Sequence, residues 1–296
     1  MRVLLAYVSL VVLWSLTPLA IKWSGEGPGH LFGVLARMSI GYFGVILVML
    51  ITRTPLPLDG RALITYLAGS LQIFGSMSLT YWSSQHLPSG WISVVFGLTP
   101  LLTAPLSALM LGESSLTFPR LLSYFFGVLG LVVIFHAALG FSPSAYLGVT
   151  GLLMAAFLQA LSAVWVKSID RRLNPFAQVA GSLSLSVPLY LLSFLLFDGH
   201  WPDQIPRRSI VSIFFLGAIA TTFGFALYFY ILRKLTAGRV ALITLLTPVL
   251  SLYVGDLVNH EPIQGPVILG TGLILMALIL YEWRSLSIGS ILKRIR

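Results

Sequence analysis

Ten apolar runs of about 20 residues each, the length that crosses a bilayer, leave this chain almost nothing but membrane-spanning helices to fold into. They fall near 3–22, 31–52, 62–82, 90–111, 119–138, 145–167, 176–197, 209–231, 238–258 and 265–283. In hydrocarbon each backbone N–H and C=O must be satisfied within its own segment, which a helix does and an isolated strand does not. The punctuation between runs is strong: residues 25–29 (GEGPG), 54–57 (TPLP), Ser142-Pro143, Asn174-Pro175, and 198–206. No connection is long enough to hold a soluble domain. Hydrophobic residues make up 57% of the chain against 9% charged, too little polar surface to cover a soluble globule of this size. The first run follows a single Arg, is too long for a signal-peptide core and lacks a small-residue cleavage site, so it reads as a retained membrane helix.

The second constraint is an internal repeat. Residues 87–113 (LPSGWISVVFGLTPLLTAPLSALMLGE) and 235–261 (LTAGRVALITLLTPVLSLYVGDLVNHE) superpose without a gap at a shift of 148, with 8 identities in 27 positions. Roughly two or three identities are expected by chance in so Leu-rich a composition. The excess includes Gly90 with Gly238, Thr99-Pro100 with Thr247-Pro248, and Glu113 with Glu261. The chain therefore divides into two copies, 1–142 and 143–296, each of five spans.

Lys and Arg set the orientation. With a cytoplasmic N-terminus, Arg2, Arg53, Arg61, Arg120, Lys167, Arg171, Arg172, Arg233, Lys234, Arg239, Arg284, Lys293, Arg294 and Arg296 lie inside, and Lys22, Arg207 and Arg208 lie outside. Both termini are placed in the cytoplasm. Five spans is an odd number, so the second copy enters from the opposite side and the halves are inverted. That is the usual basis of alternating access about a site near the midplane.

The net charge of +9 is spread over short loops rather than gathered on a stripe, which argues against nucleic acid. There is no Cys, hence no disulfide and no thiolate metal site. No histidine has metal-ligand spacing, and no cofactor is expected. A phosphate-cradling Gly-Lys-Ser/Thr loop, a Gly-x-Ser-x-Gly elbow, a His-Glu-x-x-His and a paired intramembrane Asp are all missing, so an enzyme is not indicated.

Candidate site residues within the spans are neutral amides and hydroxyls, apart from a very few ionisable groups near the span ends. Thr99-Pro100 and Thr247-Pro248 fall mid-span, where proline frees a carbonyl and bends the helix; the pairs frame a central site or serve packing alone. Gln72, Ser76 and Thr80 follow one helix face at i, i+4 and i+8. Gln159 and Ser162, with Thr221 and Thr222, complete a polar wall suited to a zwitterion or another small polar solute held by hydrogen bonds rather than by a fixed countercharge. Interhelical hydrogen bonding is the competing use of the same residues. Trp14, Tyr81, Trp91, Trp165 and Tyr228 supply an aromatic lining or packing, and Trp23, Trp201 and Trp283 read as interfacial belt residues. Arg37 lies inside the second span, where it snorkels or pairs with Glu26, Asp256 or Glu261. Asp256 is the best-placed coupling carboxylate. Glu113 and Glu261 stand at opposite rims and read as fold or gate elements.

Ten spans in two inverted halves, a Thr-Pro in span four of each, Gly112-Glu113 and His260-Glu261 just after it, and Gly127, Gly130, Gly270 and Gly272 in the fifth helices together resemble the drug/metabolite transporter superfamily, and within it the EamA-type exporters. His260 departs from the Gly usual there. In general likeness the chain is most similar to the bacterial amino-acid exporters of the YddG type. The resemblance implies an all-α basket around a cavity lined by spans one, three, four, six, eight and nine. It further implies an inner-membrane secondary transporter exporting aromatic and other neutral amino acids or similar small metabolites by alternating access. The alternative is an exporter of drugs or toxic organic compounds, and a non-transporting receptor or enzyme is the more distant reading. The partners expected are a small-molecule substrate and membrane lipid, with no nucleic acid and a monomeric state.

Overall fold

The apolar runs are helical wherever the computed structural model describes the chain, which is over residues 2–112, 118–235 and 243–282. Among the described residues eight helices are long and apolar enough to cross a membrane. They are α1 (Arg2–Gly25), α2 (His30–Ile51), α3 (Gly60–Ser83), α4 (Ser89–Leu111), α5 (Phe118–Phe141), α6 (Ala145–Ile169), α7 (Pro175–Phe197) and α8 (Arg207–Lys234). Two further helices, α9 (Ile243–Asn259) and α10 (Gly265–Glu282), follow. The sequence punctuation fixes their ends. The Asp59 carboxylate accepts from the Ala62 amide at 3.1 Å and caps α3, Asn174 caps α7 with Pro175 in its first turn, and Gly112 closes α4 at φ 66, a left-handed conformation that glycine adopts without strain.

Among the described residues two helices contain a π-helical stretch. α3 is π-helical over Leu71–Ser76 and α8 over Phe215–Gly224. Wider turns leave backbone carbonyls for side chains to serve. Tyr190 of α7 donates to the Ile73 carbonyl at 2.5 Å, and the Thr222 hydroxyl donates to the Gly217 carbonyl at 3.1 Å. Neither segment is legible in the apolar pattern, and π-turns of this kind occur frequently at functional sites.

The first Thr-Pro pair breaks its helix one step earlier than expected. α4 stops at Phe96 and restarts at Thr99, so the break lies on Gly97-Leu98 and Pro100 sits in the first turn of the new segment. Proline is tolerated there because the first-turn N–H has no partner in any helix. The Thr99 hydroxyl takes the Phe96 carbonyl at 2.6 Å. α9 runs unbroken through Thr247-Pro248, so the two pairs differ in geometry.

Packing puts α1 against α2, α4, α8 and α9, and α6 against α3, α4, α5 and, more lightly, α8. α2 packs on α7 and α8, α3 on α6 and α7, α4 on α9, and α5 on α10. At the α5–α10 crossing a Cβ on Gly130 would sit 2.8 Å from the Gly270 carbonyl oxygen, so glycine is what lets the two backbones touch. Among the described residues two large buried apolar clusters result, one around Leu10, Met38, Tyr81, Leu183 and Leu216, the other around Leu87, Trp91, Ile134, Leu152 and Ile274, with a small third formed by Ala62, Tyr66 and Leu173. The outward faces, with Leu4, Phe43, Leu50, Phe125 and Leu196 among them, remain exposed and apolar, as lipid contact requires.

The loops at the two ends are tied separately. At one end Arg208 pairs with Glu26, and Ser209 donates to the Glu26 carbonyl at 2.7 Å. At the other end Arg171 binds Asp59 at 2.9 Å, and this hydrogen bond holds the Asp59 carboxyl below its ordinary range. Trp201 is exposed but stacks edge-on to Phe32 and Phe194, and Trp23 donates to the Asn259 side chain at 2.9 Å. Trp283 lies outside the described residues.

Candidate functional site: a central cavity

A cavity of about 70 Å³ lies between α1, α2, α3, α4, α6, α8 and α9. That is several times the ~10–15 Å³ a single water needs. All six helices implied by the resemblance contribute, and α2 joins them through Arg37. A second hollow, about 160 Å³, sits at the helix ends between Lys167, Arg172, Gln178 and Arg233. The central one is the better candidate because its polar groups are buried and convergent, whereas the larger is rimmed by loop residues such as Asp170 and Arg171 that are exposed.

Its polar wall is built on the π-helical stretch of α3. Gln72 is 1% exposed, and neither its amide oxygen nor its nitrogen has a hydrogen-bond partner. Thr80 and Gln159 line the same space, as do Ser93 and Thr247 from the two repeated segments. Ser93 and Ser251 share a hydrogen bond at 2.8 Å, and Ser251 donates to the Ser15 carbonyl at 2.8 Å, which ties α1, α4 and α9 beside the cavity. The apolar wall consists of Trp14, Ile21, Ile92, Phe96 and Phe225. Trp14 stacks against Tyr228 with ring centroids 5.4 Å apart.

The wall is not neutral, as the sequence suggested it would be. Arg37 lines the cavity at 2% exposure; its Nε donates to the Thr221 hydroxyl at 3.0 Å, its guanidinium lies 5.9 Å from the Tyr81 ring centroid, and its Nη1 has no partner. The expected pairing with Glu26, Asp256 or Glu261 does not form. Glu26 is taken by Arg208 and Glu261 by Lys22, while Asp256 is exposed on the bundle surface. The physical reason is direction: Arg37 points inward from α2, whereas those carboxylates gather at the helix ends.

The other sequence candidates divide. Trp14, Gln72 and Gln159 line the cavity with Thr247. Tyr81 is buried one layer behind, beneath Arg37, and Tyr228 backs Trp14. Ser76 is buried with its hydroxyl unpaired, next along the face from Gln72. Trp91 belongs to the second apolar cluster, and Trp165 is half-buried; neither lines the cavity. Thr99, Pro100 and Pro248 shape the helices around it without lining it. Ser162 and Thr222, read as polar wall, bind backbone carbonyls of Ala68 and of Gly41 and Gly217 instead. Glu113 lies outside the described residues. Sequence reasoning missed Ile92, Phe96 and Phe225, because apolar residues facing a cavity and apolar residues facing lipid share one alphabet.

Glu261 closes one end of the bundle. Its carboxylate accepts from the Ser89 amide at 2.7 Å, the Ser89 hydroxyl at 2.8 Å and the Asn259 side chain at 2.8 Å, with Lys22 at 3.7 Å. Lys22 also donates to the Leu87 carbonyl at 3.0 Å. α1, α4 and α9 are thereby joined at the rim. Among the described residues no group of His, Asp or Glu could hold a metal ion.

Comparison with known proteins agrees with this architecture. The chain matches the EamA-like transporter family over residues 1–136 and 146–283. It is 27% identical over 276 residues to the uncharacterized transporter YoaV of Bacillus subtilis, covering 92% of this chain and 94% of that protein. It is 26% identical over 278 residues to a probable amino-acid metabolite efflux pump of Salmonella typhimurium, covering 91% of each. A solved crystal structure with 20% identity superposes at a TM-score of 0.71, covering 96% of this chain and 98% of that one, which is a likeness of fold.

Proposed function

We infer that this chain, which belongs to the EamA-like transporter family, exports amino acids or similar small metabolites across a bacterial inner membrane by alternating access. A multi-pass membrane transporter rather than an enzyme is what the family establishes, with a small molecule as substrate. The observation that carries the finer reading is Gln72: a buried amide with both polar atoms unpaired, on the wall of a central cavity, calls for a polar solute to satisfy it. The Trp14 and Phe225 side of the same cavity suits an apolar side chain. The name of the Salmonella typhimurium relative points in the same direction.

The mechanism we propose needs ten spans in two inverted halves, 1–142 and 143–296. Three observations support it. The helix neighbours are preserved when α1–α5 are exchanged with α6–α10: α1–α9 becomes α6–α4, α2–α8 becomes α7–α3, and α5–α10 maps onto itself. The π-helical stretches occur in α3 and α8, which correspond in that exchange. The family match covers two separate stretches of similar length. Both termini are cytoplasmic in this reading, which puts the Glu261 cluster at the external mouth and makes it a closed gate. One chain supplies every wall of the cavity, in keeping with a monomer.

Uptake of labelled neutral and aromatic amino acids into proteoliposomes, with and without a pH gradient, tests the proposal. Saturable, substrate-specific uptake is expected. Transport of organic cations with no competition by any amino acid would replace it with the drug-export alternative, which a buried Arg37 in the cavity wall already disfavours by charge repulsion.

A further inference from the structure

We propose that Arg37 anchors the carboxylate of the transported solute, so that the central cavity selects small carboxylate-bearing molecules and an amino acid enters it with its carboxylate towards α2. The inference rests on the transport reading above and names the chemistry of its site.

The charge balance around Arg37 leads to it. A guanidinium does not give up its proton in a protein, so Arg37 cannot relieve its burial by becoming neutral. It is 2% exposed, and its Nε bond to Thr221 is to a neutral hydroxyl. No described carboxylate pairs with it: Glu26, Asp59 and Glu261 have other cationic partners, Asp198 lies beside the His200 ring, and Asp170, Asp203 and Asp256 are exposed. Buried charges are ordinarily paired, because removing an ion from water is costly unless a counter-ion compensates. Here Nη1 is left unpaired on the wall of a cavity. Tyr81 supplies a π-face behind the guanidinium, and Thr221 fixes its plane by the Nε bond, so the fork is held in place before any ligand arrives.

The rest of the wall complements that end. Gln72, unpaired at both amide atoms, offers an acceptor for an ammonium and a donor for a second carboxylate oxygen. Gln159 lines the same wall and brings another amide of the same capacity. An anion is the missing partner, and a planar carboxylate matches the guanidinium fork. A cation would meet Arg37 with no described acid to offset it.

Ligand-induced thermal stabilisation of the purified full-length protein in detergent tests this directly, because it reads binding rather than transport. Four related probes are compared at millimolar concentration: phenylalanine, phenylalanine methyl ester, phenethylamine and 3-phenylpropionate. The ester and the amine are expected to bind ~10- to 100-fold more weakly than phenylalanine, the cost of one charge-assisted pair. Arg37→Gln should abolish the difference between acid and ester, and Arg37→Lys should restore part of it. If 3-phenylpropionate stabilises the protein and phenylalanine does not, the anchor stands and the amino-acid reading falls. If ester or amine binds as tightly as the acids, or if neither acid stabilises the wild-type protein, Arg37 is a buried structural cation only and the proposal is overturned. The probe series on wild-type protein decides the matter even where Arg37→Gln does not fold.

Discussion

Glu261 and Ser89 are 172 positions apart in the chain, yet the Glu261 carboxylate accepts from both the amide and the hydroxyl of Ser89, at 2.7 and 2.8 Å. Ser89 opens α4, so the carboxylate caps a helix from another element and sits at the positive end of its dipole. Lys22 of α1 completes the contact. A glutamate that looked in the sequence like the end of a repeated motif is the bolt between α1, α4 and α9.

Removing that bolt should be costly. Glu261→Ala strands a buried amide and leaves Lys22 without its acid, for a loss of about 1–3 kcal/mol. Glu261→Gln keeps one acceptor oxygen and should lose less. Thermal unfolding in detergent ranks the two, and equal midpoints for wild type and Glu261→Ala would remove the carboxylate from the account of the rim.

Gln72 should behave in the opposite way. Its amide has no partner within the protein, so Gln72→Leu relieves a buried unsatisfied group and should leave the unfolding midpoint unchanged or raised. Transport should fall ~5- to 150-fold, since each hydrogen bond lost to substrate is worth about 0.5–1.5 kcal/mol and two are available. A destabilised variant with normal transport would make Gln72 a packing residue.

The two tryptophans that sequence treated alike should separate. Trp14→Ala removes part of the cavity wall and the ring stacked on Tyr228, and should reduce transport in reconstituted vesicles. Trp165→Ala touches no wall of the cavity and should leave the rate near that of wild type at equal expression.

Asp59 carries a pH effect of known sign. Its carboxyl is held below the ordinary range by Arg171, so the contribution is present above the unfolded-state value and disappears as pH falls through the lower folded-state value. Unfolding midpoints should drop over the acid range in wild type, and Asp59→Asn should flatten that part of the profile. The effect is small, because the pair is solvent-exposed and screened by salt.

Sequence by itself determined the helical class, the membrane setting, the doubling of the motif and most helix ends, because each depends on local chemistry: apolar length, a capping Asp59 or Asn174, a Gly or Pro that only certain turns accept. It also picked out Trp14, Gln72 and Gln159, since glutamines and tryptophans are few enough within the spans to be noticed. Only the tertiary structure decided which way side chains face. Leu109 and Phe96 are equally apolar in sequence, but one is 84% exposed on the outer surface and the other lines the cavity. Arg37 could have reached a rim carboxylate by its position in the chain; rotation of α2 against α7 and α8 turns it inward instead, onto Thr221 and Tyr81. The π-helical turn in α3 likewise draws on a distant partner: Tyr190, 117 residues away in the chain, donates to its Ile73 carbonyl. A helix's rotation about its axis is fixed by neighbours distant in sequence, and no local pattern encodes it.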